Sequence, residues 1–210
     1  MNIIDELEWR GAINQQTDEE GLRKLTEEKQ ISLYCGIDPT GDSMHIGHLI
    51  PFMILKRFQI AGHKPVVLIG GGTGSIGDPS GRTSERQLQT MDQINENSEK
   101  LSQQMRKLFE AGSETSGIRL TNNYDWLGSL TFLDFLRDFG KEFNINTMLA
   151  KDVVSSRLDT GISFTEFSYQ IIQSIDFLHL YQEADVQLRA GGSDQWGNIT
   201  AGLDLIRKKE

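Results

Sequence analysis

Residues 34–48 read YCGIDPTGDSMHIGH, and the reading of this stretch decides the fold. From Ile31 the apolar residues Ile31, Leu33, Cys35 and Ile37 alternate with Ser32, Tyr34, Gly36 and Asp38. Strand side chains alternate between faces, so the pattern predicts a strand over 31–38 with Tyr34, Gly36 and Asp38 on one side. Gly36 leaves an empty space between a polar ring and a carboxylate. Asp38-Pro39-Thr40-Gly41-Asp42 then forms a tight turn, and His45-Ile46-Gly47-His48 opens an apolar helix predicted over 45–61. Two imidazoles thereby sit at a helix N-terminus, beside unpaired backbone N–H groups and the positive end of the dipole, a place suited to phosphate. The carboxyl end of a strand is also where open α/β sheets bind ligands.

Outward from this core, the chain reads as alternating helices and strands. A short helix is expected over 2–13, with Ile3, Ile4, Leu7 and Trp9 apolar, and a second begins at the capping box Thr17-Asp18-Glu19-Glu20. Pro51 fits the helix after His45 if it lies near the first turn. Val66–Ile69 is a buried strand, Thr90 caps a long helix ending near Gly112, Arg119–Tyr124 is a third strand and Val186–Arg189 a fourth. Residues 130–158 read as helices rich in Phe, Leu and Val, broken near Asn144. They form an insertion whose surplus apolar side chains suit either an oligomer contact or ordinary core.

Bulk properties narrow the function classes. The chain has 210 residues, enough for one sizeable core, and its 37% hydrophobic and 24% charged content is that of a soluble globular protein. Cys35 is the single cysteine, which excludes an internal disulfide and suits a reducing, cytoplasmic compartment. The acidic Met1–Glu6 lacks the basic start of a signal peptide, and no apolar run is long enough to span a bilayer. A net charge of −9 means that any nucleic-acid partner must use a local basic patch or a region outside the chain.

Two glycine-rich turns and one helix carry chemistry. Gly70 to Arg82 reads GGGTGSIGDPSGR, and its glycines allow close approach to a ligand. Residues 72–77 match G-x-G-x-x-G, the dinucleotide fingerprint, but Asp78-Pro79-Ser80-Gly81 breaks any helix there, and no acidic residue follows at a strand end. Asp78, Arg82 and Arg86 add charge, and two arginines past a glycine loop can bind polyphosphate. Ser163-Phe164-Thr165-Glu166 is a capping box for a helix that places Tyr169, Gln173 and Asp176 on one face. A Tyr, Gln and Asp stripe on an apolar helix suits a small polar ligand better than a solvated face does. Gly191-Gly192-Ser193-Asp194-Gln195-Trp196 turns into the last helix; Asp194 there is either an N-cap or an acceptor for ribose hydroxyls. His45 and His48 as a zinc pair is the rival reading, but one cysteine and no second ligand motif argue against a metal site.

In this order, the His-Ile-Gly-His turn, the GDPSGR loop, the Tyr-x-x-x-Gln-x-x-Asp helix and the GGSDQWGN turn resemble the class I aminoacyl-tRNA synthetases. Among them the chain is most similar to the bacterial tyrosyl-tRNA synthetase family, over nearly its whole length. The resemblance implies a Rossmann-like parallel sheet flanked by helices, a single catalytic domain over 1–210, and a helical insertion at approximately 125–160 that forms a homodimer. It implies that tyrosine attacks the α-phosphate of Mg-ATP, giving tyrosyl-adenylate and pyrophosphate, with transfer to tRNA(Tyr) following; no tightly bound cofactor is implied. By the resemblance, Tyr34 and Asp176 hold the substrate phenol, Asp78, Tyr169 and Gln173 its α-amino group, and Gln195 lies near its carboxylate. Cys35, Gly36, Asp38, Gly47, His48, Gly192 and Asp194 line the ATP and adenylate site. Thr40 and His45 hold the γ-phosphate, while Arg82 and Arg86 surround departing pyrophosphate; family members often have lysine where Arg82 stands.

The chain also departs from the family pattern. The mobile Lys-Met-Ser-Lys-Ser loop and the tRNA-binding domains are absent from these residues, so an N-terminal catalytic fragment is expected, with fast activation and tRNA charging impaired. A tryptophanyl-type domain, a binding-only module for tyrosine or adenylate, and a nicotinamide oxidoreductase are the other readings; the Tyr34 and Asp176 pair argues against the first.

Overall fold

A computed structural model describes residues 1–80, 87–111, 118–155, 157–159 and 161–210. Four strands form the sheet: β1 (Ser32–Ile37), β2 (Lys64–Ile69), β3 (Arg119–Asn122) and β4 (Val186–Arg189). They lie in the order β3-β2-β1-β4, and every pair is parallel. A parallel sheet is buried on both faces, and the crossover helices supply the cover. α1 (Ile3–Trp9), α2 (Glu19–Glu28), α3 (Ile46–Ile60) and α4 (Met91–Glu110) precede β3. After it come α5 (Tyr124–Leu127), α6 (Phe132–Asp134), α7 (Ile145–Leu149), α8 (Asp152–Ser155) and the long α9 (Phe164–Ala184), with α10 (Trp196–Lys209) last.

The alternation read in β1 becomes two cores. Leu33, Cys35 and Ile37 pack with Val67 and Ile69 against α1, α3 and α4, through Phe52, Leu55, Phe58, Leu101, Met105 and Phe109. Tyr34 faces the other way, with Val66 and Leu68, against Ile175, Phe177, Leu178 and Leu180 of α9 and Leu205 and Ile206 of α10. The connections out of β1 and β2 thus run over one face, and the connection into β4 runs over the other. Strand order reverses between β1 and β4, the switch point at which open α/β sheets hold their ligands.

Local boundaries refine the sequence reading. The first helix stops at Trp9, whose indole is exposed with the Arg10 guanidinium 5.4 Å above it, and so adds nothing to the core. The N-cap of α2 is Asp18, which accepts from the Gly21 N–H, one residue later than the expected box. Pro51 stands in the second turn of α3, beyond the first turn. It offers no N–H to the carbonyl of Gly47, the residue four earlier. Residues 72–77 open no helix: Thr73–Ser75 is a single 3-10 turn, which removes the geometry a dinucleotide motif needs. The insertion after β3 divides its apolar residues. Trp126, Leu127, Leu130, Phe135, Phe139 and Phe143 pack on the sheet, while Phe132, Leu133, Leu136, Ile145 and Leu158 are exposed. Among the described residues no helix is long and apolar enough to cross a membrane.

One buried histidine couples this fold to pH. His63 is 8% exposed, its Nδ1 accepts the Ile31 N–H at 3.3 Å, and burial holds its pKa below the ordinary value. The folded state therefore prefers the neutral ring, while the unfolded chain takes up a proton near pH 6.5. Its contribution to stability is complete above about pH 6.5 and is lost as the pH falls toward the lower folded value. In urea denaturation between pH 7.5 and 5, His63→Gln is expected to show a shallower acid loss than the parent; an identical slope would remove His63 as a source.

Candidate active site

The carboxyl ends of β1, β2 and β4 line one cleft, and that of β3 supports its wall through Asn122 and Asn123. β1 delivers Asp38, β2 the glycine turn from Gly70, β3 the pair Asn122-Asn123, and β4 Arg189 and the second glycine turn. The cleft has a volume of about 460 Å³ and is lined by Tyr34, Cys35, Gly36, Asp38, Thr40, Gly47, His48, Asp78, Tyr169, Gln173, Asp176, Gly192, Asp194 and Gln195. These are fourteen of the positions singled out in the sequence. His45 stands at the rim, stacked on His48, and Arg82 and Arg86 lie outside the described residues. Gly36 is exposed in the middle of a strand that is otherwise mostly buried, so the gap between Tyr34 and Asp38 is the open floor of the cleft.

The deep end is built around Asp176, which is 1% exposed. Its Oδ2 accepts from Asn123 Nδ2 at 2.9 Å, and its Oδ1 from Trp126 Nε1 at 2.9 Å. Burial pushes its pKa up to about 7 despite both bonds. In the same cleft, the Tyr34 ring packs on Phe177 at 5.4 Å, and its hydroxyl is buried with no hydrogen-bond partner among the described residues. A buried hydroxyl without a partner is costly and marks a place for a polar ligand atom. Burial also raises the Tyr34 pKa, so the hydroxyl keeps its proton.

A chain of side-chain bonds runs from there to the mouth. Thr73 Oγ1 accepts from Asn123 Nδ2 at 2.9 Å and donates to Asp38 Oδ1 at 2.6 Å. Tyr169 donates its hydroxyl proton to Asp38 Oδ2 at 2.9 Å, and Gln173 Nε2 lies 3.4 Å from that hydroxyl. Burial holds the Tyr169 pKa well above the ordinary value, so it is a donor. Gln195 Nε2 donates to Asp78 Oδ2 at 2.9 Å and to Asp194 Oδ2 at 2.9 Å. The stripe Tyr169, Gln173 and Asp176 thus faces the cleft, not solvent. Cys35 lines the cleft, but its side chain packs in the opposite core, where burial pushes the thiol up to about 12.

At the mouth, the two histidines of α3 hold each other. His45 Nδ1 accepts the Gly47 N–H at 3.1 Å, the His45 N–H donates to His48 Nδ1 at 3.4 Å, and the rings stack 3.7 Å apart. With both Nδ1 atoms accepting, the neutral rings carry their protons on Nε2, which makes them donors toward an anion. No group of three or more metal-ligating side chains gathers among the described residues.

Four site residues escape the sequence reading: Thr73, Asn123, Trp126 and Arg189. The one signal for Asn123 is its place just after a parallel strand. The glycine loop also has a different use from the expected one. Gly71 and Gly72 donate their N–H groups to Asn122 Oδ1 (3.2 Å) and Asn123 Oδ1 (2.8 Å). A Cβ on Gly71 would meet Asn122 Oδ1 at 2.4 Å, so at this turn glycine admits an asparagine side chain.

These features define an open parallel α/β protein with a polar ligand cleft at its switch point. The family model described as tRNA synthetases class I (W and Y) matches residues 26–210, and the chain belongs to that family. It is 71% identical over 210 residues to a tyrosine–tRNA ligase 2 of Bacillus cereus (strain ZK / E33L). It is 73% identical to the tyrosine–tRNA ligase of Pediococcus pentosaceus. The whole chain is matched in each case, but it spans about half the length of these relatives, 50% and 49%. A C-terminally truncated mitochondrial tyrosyl-tRNA synthetase of Aspergillus nidulans superposes with a TM-score of 0.89 at 34% identity, covering 98% of this chain and 61% of that one.

Proposed function

We propose that this chain binds L-tyrosine and Mg-ATP and catalyses formation of tyrosyl-adenylate and pyrophosphate, the first half of a tyrosine–tRNA ligase reaction. The observation that carries this reading is that two buried polar groups line one cleft, the Asp176 carboxyl and a Tyr34 hydroxyl that has no hydrogen-bond partner among the described residues. A phenol satisfies both groups; a phenyl or indole ring leaves at least one unpaired. Tyrosyl-tRNA synthetases are themselves the established precedent for such discrimination, rejecting phenylalanine about 10⁵-fold without editing.

In this reading Asp78, Tyr169 and Gln173 hold the α-ammonium, and Gln195 orients the carboxylate. Cys35, Gly36, Asp38, Gly47, His48, Gly192 and Asp194 line the adenylate site. Thr40 and His45 donate to the γ-phosphate, and Arg82 and Arg86 serve the leaving pyrophosphate. Magnesium arrives on ATP, with phosphate and water as most of its ligands. The substrate carboxylate attacks phosphorus directly, so catalysis consists of positioning and stabilisation of developing charge. Transfer of the tyrosyl group to tRNA(Tyr) is the second half of the reaction in this reading. The exposed apolar side chains of residues 125–160 suit a homodimer contact, and the cytoplasm, without membrane association, is the compartment that fits.

The test is equilibrium binding of tyrosine, phenylalanine and tryptophan, followed by tyrosine-dependent ATP–pyrophosphate exchange. Tight tyrosine binding with the other two excluded is expected; tryptophan binding would favour the sister specificity of the same family. His45→Ala is expected to slow exchange by at least roughly tenfold, the lower range for loss of a hydrogen bond to a charged group, with tyrosine affinity unchanged. Equal losses in both measurements would make His45 a structural cap only.

A further inference from the structure

Arg189 is a buried cation that the proposed chemistry has not used. It is the last residue of β4, and strand pairing sets it opposite Tyr34 of β1. In parallel strands, partners in register share a face, which puts its side chain on the cleft side. It is 7% exposed, its guanidinium carbon lies 5.7 Å from the centre of the Tyr34 ring, and its Nη2 donates to Gln195 Oε1 at 3.3 Å. Its Nη1 is buried with no hydrogen-bond partner among the described residues. A guanidinium is never deprotonated in a protein, so this is a full positive charge kept from water, and only nearby negative charge can offset that cost.

The negative charge is at hand. Asp176 lines the same cleft as Arg189 and Tyr34. It receives hydrogen bonds from two neutral donors, Asn123 and Trp126, which favour its ionised form but bring no opposite charge. Among the described residues, the charged groups that act on it are Arg189 from β4, which favours its ionisation, and Asp38 from the end of β1, which opposes it. Tyr34 of β1 and Tyr169 of α9 keep their protons. Behind Trp126, His179 stacks on the indole at 4.2 Å, and burial keeps that imidazole toward its neutral form. Among the described residues, Arg189 is therefore the sole cation of this group.

We propose that Arg189 is the internal counter-charge of the phenol pocket: it biases Asp176 toward the carboxylate, the form that accepts a hydrogen bond from a phenolic hydroxyl. This rests on the tyrosine reading above. It makes Arg189 a positioning residue for specificity, acting through Asp176.

Trp126 provides a readout that needs no substrate, because its Nε1–H bonds directly to Asp176. The indole N–H resonances of the three tryptophans are followed by NMR from pH 5 to 9, with Trp126→Phe for assignment. In Arg189→Gln the Trp126 midpoint is expected to rise by about one pH unit or more, the usual effect of a neighbouring opposite charge, while Arg189→Lys stays near the parent. An unmoved midpoint in Arg189→Gln, or an equal rise in both variants, would overturn the proposal. Arg189→Met, which keeps the stem and loses the charge, replaces Arg189→Gln if that variant fails to fold. Tyrosine and phenylalanine affinities are measured over the same range. Tyrosine affinity should rise through each protein's own midpoint and phenylalanine affinity should not. A shifted midpoint in a chain that binds no tyrosine upholds the counter-charge and removes the tyrosine reading; tyrosine binding with an unmoved midpoint does the reverse.

Discussion

Replacing Asp176 with alanine is expected to weaken tyrosine binding by about 1.5–3 kcal/mol, the range for a hydrogen bond to a charged group. That is roughly a ten- to hundredfold rise in Kd. Phenylalanine binding should change far less, so the ratio between the two ligands collapses. The physical reason is that a phenol can donate to the carboxylate and accept from the Tyr34 hydroxyl, and a phenyl ring can do neither. The substitution also strips acceptors from Asn123 Nδ2 and Trp126 Nε1, and each orphaned buried donor costs about 1–3 kcal/mol of stability. Asp176→Asn separates the two effects: it keeps the volume but sets an amide N–H against one of those donors. There is an opposing contribution. With its pKa raised to about 7, Asp176 favours the folded state while protonated. That benefit is complete below about pH 4, the ordinary aspartate value, and is lost as the pH rises through 7. Asp176 variants should therefore lose less stability relative to the parent at pH 8 than at pH 5. Unchanged tyrosine affinity in Asp176→Ala, in a folded sample, would sink the assignment of the phenol pocket.

A large loss of stability is expected at Glu166. Arg157 and Glu166 form an ion pair at 2.8 Å, with the two side chains 7% and 1% exposed. Arg157 Nη2 also donates to the Gly161 carbonyl at 3.3 Å, so the pair fastens the segment before α9 to its first turn. Glu166→Ala removes the carboxylate that Arg157 faces, and breaking a buried ion pair in this way should cost about 3–5 kcal/mol. Urea denaturation gives the value directly. Replacing both residues by apolar ones of similar size, Arg157→Met with Glu166→Leu, should recover most of the loss. A single variant within about 0.5 kcal/mol of the parent, the range of surface substitutions, would show that the pair is not closed in solution. Tyr169 lies three residues beyond Glu166, so tyrosine affinity should fall along with stability in the single variant and return in the double one.

Glu166 also shows how a local motif can be right in place and wrong in partner. Ser163 does cap α9, accepting the Glu166 N–H at 3.2 Å. A capping box would send the Glu166 carboxylate back to the cap; here it pairs with Arg157, which lies nine residues earlier and carries no periodic signal. The glycine turn after β2 is a similar case. Its composition marks a close approach, and the approach exists, but part of it is filled by Asn122 and Asn123 from the end of the neighbouring strand.

Elements with short-range causes are legible in the residues alone. Alternation in 31–38 places Tyr34 and Cys35 on opposite faces of β1, and three- and four-residue spacing places Tyr169, Gln173 and Asp176 on one side of α9. The N-caps Thr90 and Ser163 fall where side-chain chemistry demands them. What meets across the sheet is a matter of tertiary structure. Asn123 and Trp126 stand more than fifty positions after the strand that carries Tyr34 and about fifty before Asp176, and Arg189 reaches Tyr34 only because β4 pairs with β1. Such contacts have no sequence period. They are set by strand order, which places the carboxyl ends of four separate strands around one cleft, and by burial, which makes each charge there depend on a partner from elsewhere in the chain.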